Sequence, residues 1–168
     1  MRRLAIALAI LPLFAAAPAQ AEMTTVTPTQ IGEIFCISRL GNDDGILRGV
    51  LTDELRTLID YSEARNDTIA AAYPEDKPPL GDGIPWGSFP DYAPKCTLAS
   101  TAVEGNMARV AVSYAFPEEP TADYTDTLVL KLVAHPYDPA TGIWRIDDVR
   151  YTTSSTLREV LATAFDAE

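Results

Sequence analysis

MARVAVSYAF, residues 107–116, places Val110, Val112, Tyr114 and Phe116 on one side of an extended chain at a strict period of two. The same period runs through Leu128, Leu130 and Leu132, and again through Trp144 and Ile146, so the chain from Thr97 onward reads as β-structure. Gly105-Asn106 suits a tight hairpin turn, while Pro117–Asp123 and Pro136–Gly142 are the longer connections. The expected result is a four-stranded antiparallel meander. Ile146 and Val149 stand three apart, and both can face the core only if an extra residue is absorbed at Asp147-Asp148, which predicts a β-bulge. The opposite strand faces carry Ala111, Ala115, Val129, Val133 and Ile143, apolar enough to call for partial cover. The C-terminal segment is one candidate, because Thr156 and Glu159 make a capping box and Leu157, Val160, Leu161, Ala164 and Phe165 an amphipathic stripe. A homodimer packing sheet to sheet is the other.

Upstream of the sheet the period is helical. Thr27-Pro28-Thr29-Gln30 is a helix start, with Thr27 as N-cap, Pro28 at the first helical position and Gln30 closing a capping box. Ile31, Ile34, Phe35, Ile37 and Leu40 then follow on more than one face, which predicts a central helix ended by Gly41. The turn Asn42-Asp43-Asp44-Gly45 leads into a second helical stretch. Thr52-Asp53-Glu54 caps a longer helix, with Leu55, Leu58, Ile59 and Ser62 as its buried stripe and Pro74 blocking it after Tyr73. Regular structure should stop across Pro74–Pro94, which is dense in Pro and Gly and carries Trp86, Phe89 and Tyr92. A long ordered loop of this kind can cap a core or form a lid over a pocket.

Residues 1–21, MRRLAIALAILPLFAAAPAQA, have the pattern of an export signal: Arg2 and Arg3, an apolar stretch too short to span a bilayer, and a small-x-small cleavage pattern at Ala19-Gln20-Ala21. The expected organisation is a signal peptide over 1–21 and a single domain over 22–168, periplasmic or secreted, with no cysteine near the cleavage site for lipid attachment and no membrane insertion after cleavage. Cys36 and Cys96 are the only cysteines, and in an oxidising compartment they most simply form one disulfide. Closing a loop of about sixty residues would stabilise the fold by roughly 4 kcal/mol on a chain-entropy account. The net charge is −11, and cleavage would remove two arginines and no carboxylate. Such a surface repels nucleic acid and anionic lipid and favours a basic protein partner, or serves only to keep the chain in solution.

The residues that could carry chemistry are few. His135, the one histidine, sits at a strand end before Pro136 and reads as a solvated residue, not a catalytic base. Asn42-Asp43-Asp44-Gly45 resembles a calcium loop, but aligning its glycine puts Leu40 and Leu51 where oxygen ligands are required, so no metal site is expected. Asp147 and Asp148, next to a predicted bulge, could divide acid and base roles only if their environments differ; pairing with Arg145 or Arg150 is the structural reading. No cofactor is expected.

Helices, an irregular loop and a curved antiparallel sheet ending in GIWRIDDVRY (142–151) resemble the NTF2-like superfamily, an α+β cone. LTDELRTLID (51–60), PLGDGIPWGSFPDY (79–92) and the Trp-x-Ile-Asp-Asp-Val element are similar to a family of small exported bacterial proteins. The resemblance implies N-terminal helices packed on a curved four-stranded antiparallel sheet, with a cavity between them and an added C-terminal helix. Tyr61, Trp86, Phe89, Tyr92, Tyr114, Trp144 and Asp148 are the candidate lining of that pocket. Enzymatic members of the superfamily use an Asp base and a Tyr donor, for which no matched pair of positions stands out here, although Tyr61, Tyr114 and Asp148 are the residues to inspect. The leading expectation is a non-enzymatic binding or accessory protein taking a small apolar ligand or a protein partner. The alternatives are an acid–base enzyme with a buried Asp and Tyr, and an acidic inhibitor or immunity protein for a basic exported partner.

Overall fold

The computed structural model describes residues 25–41, 43–89 and 92–166. The signal-like segment 1–21 lies outside them. Helices come first: α1 (Pro28–Gly41), the single turn α2 (Gly45–Arg48) and α3 (Asp53–Ala72). Strands β1 (Lys95–Glu104), β2 (Met107–Ala115), β3 (Tyr124–His135) and β4 (Asp138–Arg150) follow, and α4 (Leu157–Thr163) closes the order. The strands pair in chain order as one antiparallel meander.

Local chemistry sets the helix starts. The Thr27 N–H donates to Gln30 Oε1 at 2.9 Å while the Gln30 N–H donates to Thr27 Oγ1 at 3.3 Å, a reciprocal cap on α1. Thr52 Oγ1 accepts from Leu55 N on α3, and Thr156 and Glu159 form the same reciprocal box on α4. The turn between β1 and β2 is Gly105-Asn106, with Gly105 at φ 61°, a region that favours glycine. Val129 pairs with Asp148 and Leu130 with Ile146, which leaves Asp147 as the extra residue of the bulge and brings both Ile146 and Val149 into the core.

The core lies between the helices and one sheet face. Ile31 and Phe35 of α1, Leu55 and Ile59 of α3, and Leu157 and Leu161 of α4 meet Val110, Val112, Leu128, Leu130, Ile146 and Val149. α1 crosses β1 and β2, whereas α3 and α4 pack together beside β4. At Gly32 the helix approaches so closely that an added Cβ would stand 2.8 Å from Val110 Cγ1. The outer edge of β4 is covered, since Thr52 N donates to Ile146 O at 2.9 Å and Ile146 N to Val50 O at 2.8 Å. Among the described residues nothing pairs with the outer edge of β1.

Four expectations need correction. α1 is not buried all round: Ile31, Phe35 and Cys36 face inward, but Ile37 and Leu40 are 61% and 51% exposed, because the sheet reaches only one side of the helix. α4 does not cover the back of the sheet, because Leu157 and Leu161 belong to the same core as Ile31 and extend the helical layer. The β3–β4 connection is short: His135 pairs with Asp138 and Ala134 with Gly142, and the Asp138 carboxylate accepts from Ala140 N and Thr141 Oγ1, folding the intervening residues back as an irregularity of β4. Leu132, at the far end of β3, is about one-third exposed at 36% and lies over Gly142 instead of under a helix.

Candidate functional site

The Pro- and Gly-rich stretch between α3 and β1 carries the loop aromatics, and its backbone is held at several points. Asn66 of α3 accepts from Leu80 N at 2.9 Å. The Trp86 indole N–H donates to Asp44 Oδ2 at 3.0 Å, while Asp44 Oδ1 takes Arg39 at 2.9 Å. Tyr151 Oη donates to the Pro85 carbonyl. The disulfide Cys36–Cys96 then joins α1 to the start of β1, with Cα atoms 5.3 Å apart.

The strongest of these anchors is Asp126, which is 1% exposed. Its Oδ2 accepts from Ser88 N at 2.9 Å, and its Oδ1 from Thr152 N at 3.0 Å and from the Ser88 hydroxyl. A carboxylate buried at this depth is tolerated because hydrogen bonds replace its water. Beside it the Tyr114 hydroxyl is buried without a hydrogen-bond partner among the described residues. Burial, followed by the neighbouring Tyr124 and Asp126, raises the Tyr114 phenol well above the usual range, with Arg39 opposing. Burial, with Asp126 and Asp148, does the same for Tyr151.

The seven candidate pocket residues do not converge on one cavity. Trp86 is 2% exposed and edge-on to Phe35, with ring centroids 6.4 Å apart, so it seals the core. Tyr114 lies in the same core and stacks on Tyr124 at 4.6 Å. Phe89 rests against the outer side of Tyr124, and Tyr92 under the Arg39 guanidinium at 4.8 Å, both about half exposed. Tyr61 stands 59% exposed on α3, away from the loop. Trp144 is partly buried opposite Leu132. Asp148 accepts from Arg158 N at 3.1 Å in the first turn of α4, and Asp147 pairs with the Arg158 side chain at 2.7 Å. Both aspartates of the bulge are therefore joints between β4 and α4. Their ion partner is Arg158, and Arg145 and Arg150 form no ion pair with them among the described residues.

Two surface features lie at the loop and at α1 instead. A groove of about 300 Å³ runs beside the loop, lined by Leu80, Ile84, Trp86, Phe89 and Tyr92 with Asp44. A wider apolar depression of about 580 Å³ lies between α1 and the free edge of β1, lined by Cys36, Ile37, Leu40, Cys96 and Leu98. Among the described residues no three of His, Cys, Asp and Glu converge as a metal-binding group, and no helix is long and apolar enough to cross a membrane. The chain matches no family model, no curated protein and no solved structure. The chemistry of these surfaces has to be read from their own residues.

Two parts of this site were not singled out from the sequence. Asp126 stands in phase with Leu128 and Leu130, and a carboxylate on the core face of a strand is itself a sign of a buried anchor. The apolar residues of α1 lie on several sides, and nothing in the helix's own sequence tells which side the sheet takes, so Ile37 and Leu40 read as core although they are exposed.

Proposed function

We propose that this chain is an exported, non-enzymatic binding protein of NTF2-like type that engages a protein partner on its surface. The observation that carries the reading is the pair Ile37 and Leu40, two large aliphatic side chains left exposed beside the Cys36–Cys96 bridge and the unpaired edge of β1. Covering what remains exposed of such side chains contributes about 1–2 kcal/mol each before the costs of association. The free edge of β1 offers backbone groups to an extended segment of the partner, the geometry of β-strand addition. A partner with a basic rim around an apolar strand complements the net charge of −11. Trp86 and Phe35 occupy the space between helices and sheet, which favours the surface over a ligand held inside. The separation of Tyr61, Tyr114 and Asp148 weighs against acid–base chemistry by those residues. The disulfide supports an oxidising compartment.

Site-specific photo-crosslinking in the exporting cell tests this reading. A photoreactive side chain at position 37 or 40 should give one discrete adduct, and the same probe at exposed Tyr61 on α3 should not. Adducts at 37 and 40 that still form when an extract of those cells is irradiated at high salt support an apolar docking surface. Failure of the adducts to form as salt rises before irradiation would favour the acidic inhibitor reading instead, and no adduct at either position would remove the α1–β1 surface as the site.

A further inference from the structure

A second surface, on the opposite side of the sheet, has a different chemistry. Alternation along the strands puts Arg109 of β2, Lys131 of β3 and Arg145 of β4 on the face turned away from the helices. Arg109 is neutralised by Glu104 at 3.1 Å. Lys131 and Arg145 are direct cross-strand partners, and like charges placed opposite each other destabilise a sheet. Neither forms an ion pair among the described residues, and the one hydrogen bond of the Arg145 guanidinium runs to the carbonyl of Trp144 at 2.9 Å. The chain has 24 carboxylates against 13 cations, so a counter-ion missing here is not a matter of supply.

Arg145 is also partly withdrawn from water. Burial pulls its guanidinium below the ordinary range, Asp53 opposes this, and the charge of Arg56 adds to it. It stands in a groove of about 360 Å³ between the start of α3 and the β3–β4 end of the sheet. The groove is walled by Leu51, Val133, Pro136 and Ile143, and Ile143 is buried there although it lies outside the main core. Asp53, Glu54 and Arg56 line it as well, with Asp53 engaged by Arg56 at 2.6 Å. A partly desolvated cation with no ion pair at salt-bridge distance among the described residues, set against an apolar wall, is complementary to an anion with an apolar body. The two lining carboxylates and the small number of cations disfavour a polyanion.

We propose that this groove binds a small organic monocarboxylate, its head on Arg145 and its tail along Val133, Ile143 and Leu51. The guanidinium fork can meet both carboxylate oxygens, and Lys131, paired with Arg145 across the strands but outside the groove lining, adds to the positive field from a distance. The site is independent of the α1–β1 surface, and its failure would leave that reading untouched.

Amide chemical-shift titration of the full chain with hexanoate, hexanol and inorganic phosphate tests the proposal. Hexanoate should give saturable shifts centred on Val133, Ile143 and Arg145, with binding at least about tenfold tighter than for either control, since each control lacks one half of the recognition. Arg145→Met should weaken hexanoate by about tenfold or more, Arg145→Lys by less, and Arg109→Met should leave it unchanged. Arg145→Lys keeps the test open if the methionine variant does not fold. Three results would overturn the proposal: no saturable shifts with hexanoate, equal binding of phosphate or hexanol, or equal losses from Arg109→Met and Arg145→Met.

Discussion

Replacing Asp126 with asparagine should loosen the aromatic loop from the sheet at a cost worked out from three hydrogen bonds. Asparagine can keep its carbonyl oxygen where Oδ1 stands, still accepting from Thr152 N and the Ser88 hydroxyl. Its amide must then occupy the Oδ2 position, 2.9 Å from Ser88 N, where donor faces donor. The variant loses one charge-assisted hydrogen bond, weakens two others and leaves a part-buried N–H unpaired, together about 3 kcal/mol. For a domain of this size that corresponds to a fall in Tm of roughly 6–12 °C. Urea unfolding followed by circular dichroism should show a lower midpoint at an unchanged slope. Ser88→Ala, which removes only the hydroxyl and keeps the N–H contact, should cost about 1 kcal/mol. Trp86 lies two residues from Ser88, so acrylamide quenching of tryptophan fluorescence should rise in the asparagine variant. A loss below about 1 kcal/mol for Asp126→Asn would refute the reasoning, because it would mean that the carboxylate is not what holds the loop.

Three further outcomes follow from the packing. Tyr114→Phe removes a buried hydroxyl with no partner and should be neutral or stabilising by up to about 1 kcal/mol in urea unfolding. Tyr114 and Tyr151 have phenol pKa values raised on folding above an unfolded value of about 10, so the stability they contribute is intact below that pH and declines above it. The decline is about 1.4 kcal/mol per pH unit for each tyrosine, and a Tyr114→Phe variant should show a shallower alkaline slope, read by denaturant melts at rising pH. Gly32→Ala puts a Cβ 2.8 Å from Val110 Cγ1 and 2.9 Å from Leu98 Cδ2. Overpacking of about 1–3 kcal/mol against roughly 1 kcal/mol of gained helix propensity predicts a net loss of about 1 kcal/mol, and a thermal melt showing stabilisation would contradict the close approach of α1 to the sheet.

Most of the fold was legible because two periods carry it. Val110, Val112, Leu128 and Leu130 alternate, the Thr27, Thr52 and Thr156 caps mark the helix starts, and the three-residue step from Ile146 to Val149 locates the bulge. These are short-range signals that tertiary context did not override. The candidate site was much less legible. Pro and Gly mark where the loop leaves regular structure, but they do not tell whether Trp86 turns inward to Asp44 and Phe35 or outward over a cavity. That choice depends on Asp44, Asp126 and Tyr151, which lie far apart in sequence and act through side-chain and backbone hydrogen bonds. The destination of α4 was ambiguous for a similar reason: its stripe fits either sheet face, and the Asp148 carboxylate at the Arg158 N–H helps fix which one it meets.

Filling the space under the helices has a consequence for where binding can occur. Trp86, Phe35 and Tyr114 close the interior, and Asp126 fixes the loop that supplies Trp86, so opening a cavity there would break charge-assisted hydrogen bonds and expose a large aromatic surface. The α1–β1 surface needs no such rearrangement. Ile37 and Leu40 are already exposed, and the Cys36–Cys96 bridge holds their helix against the free strand edge, so a partner would meet a surface whose ordering cost was met when the chain folded. Reduction of that bridge therefore separates two roles that a stability measurement alone would merge. If the bridge serves only the fold, a Cys36→Ala/Cys96→Ala chain that remains folded should give the position 37 adduct as efficiently as the native chain. If it also aligns helix and strand for the partner, adduct formation should fall while the circular dichroism spectrum is retained.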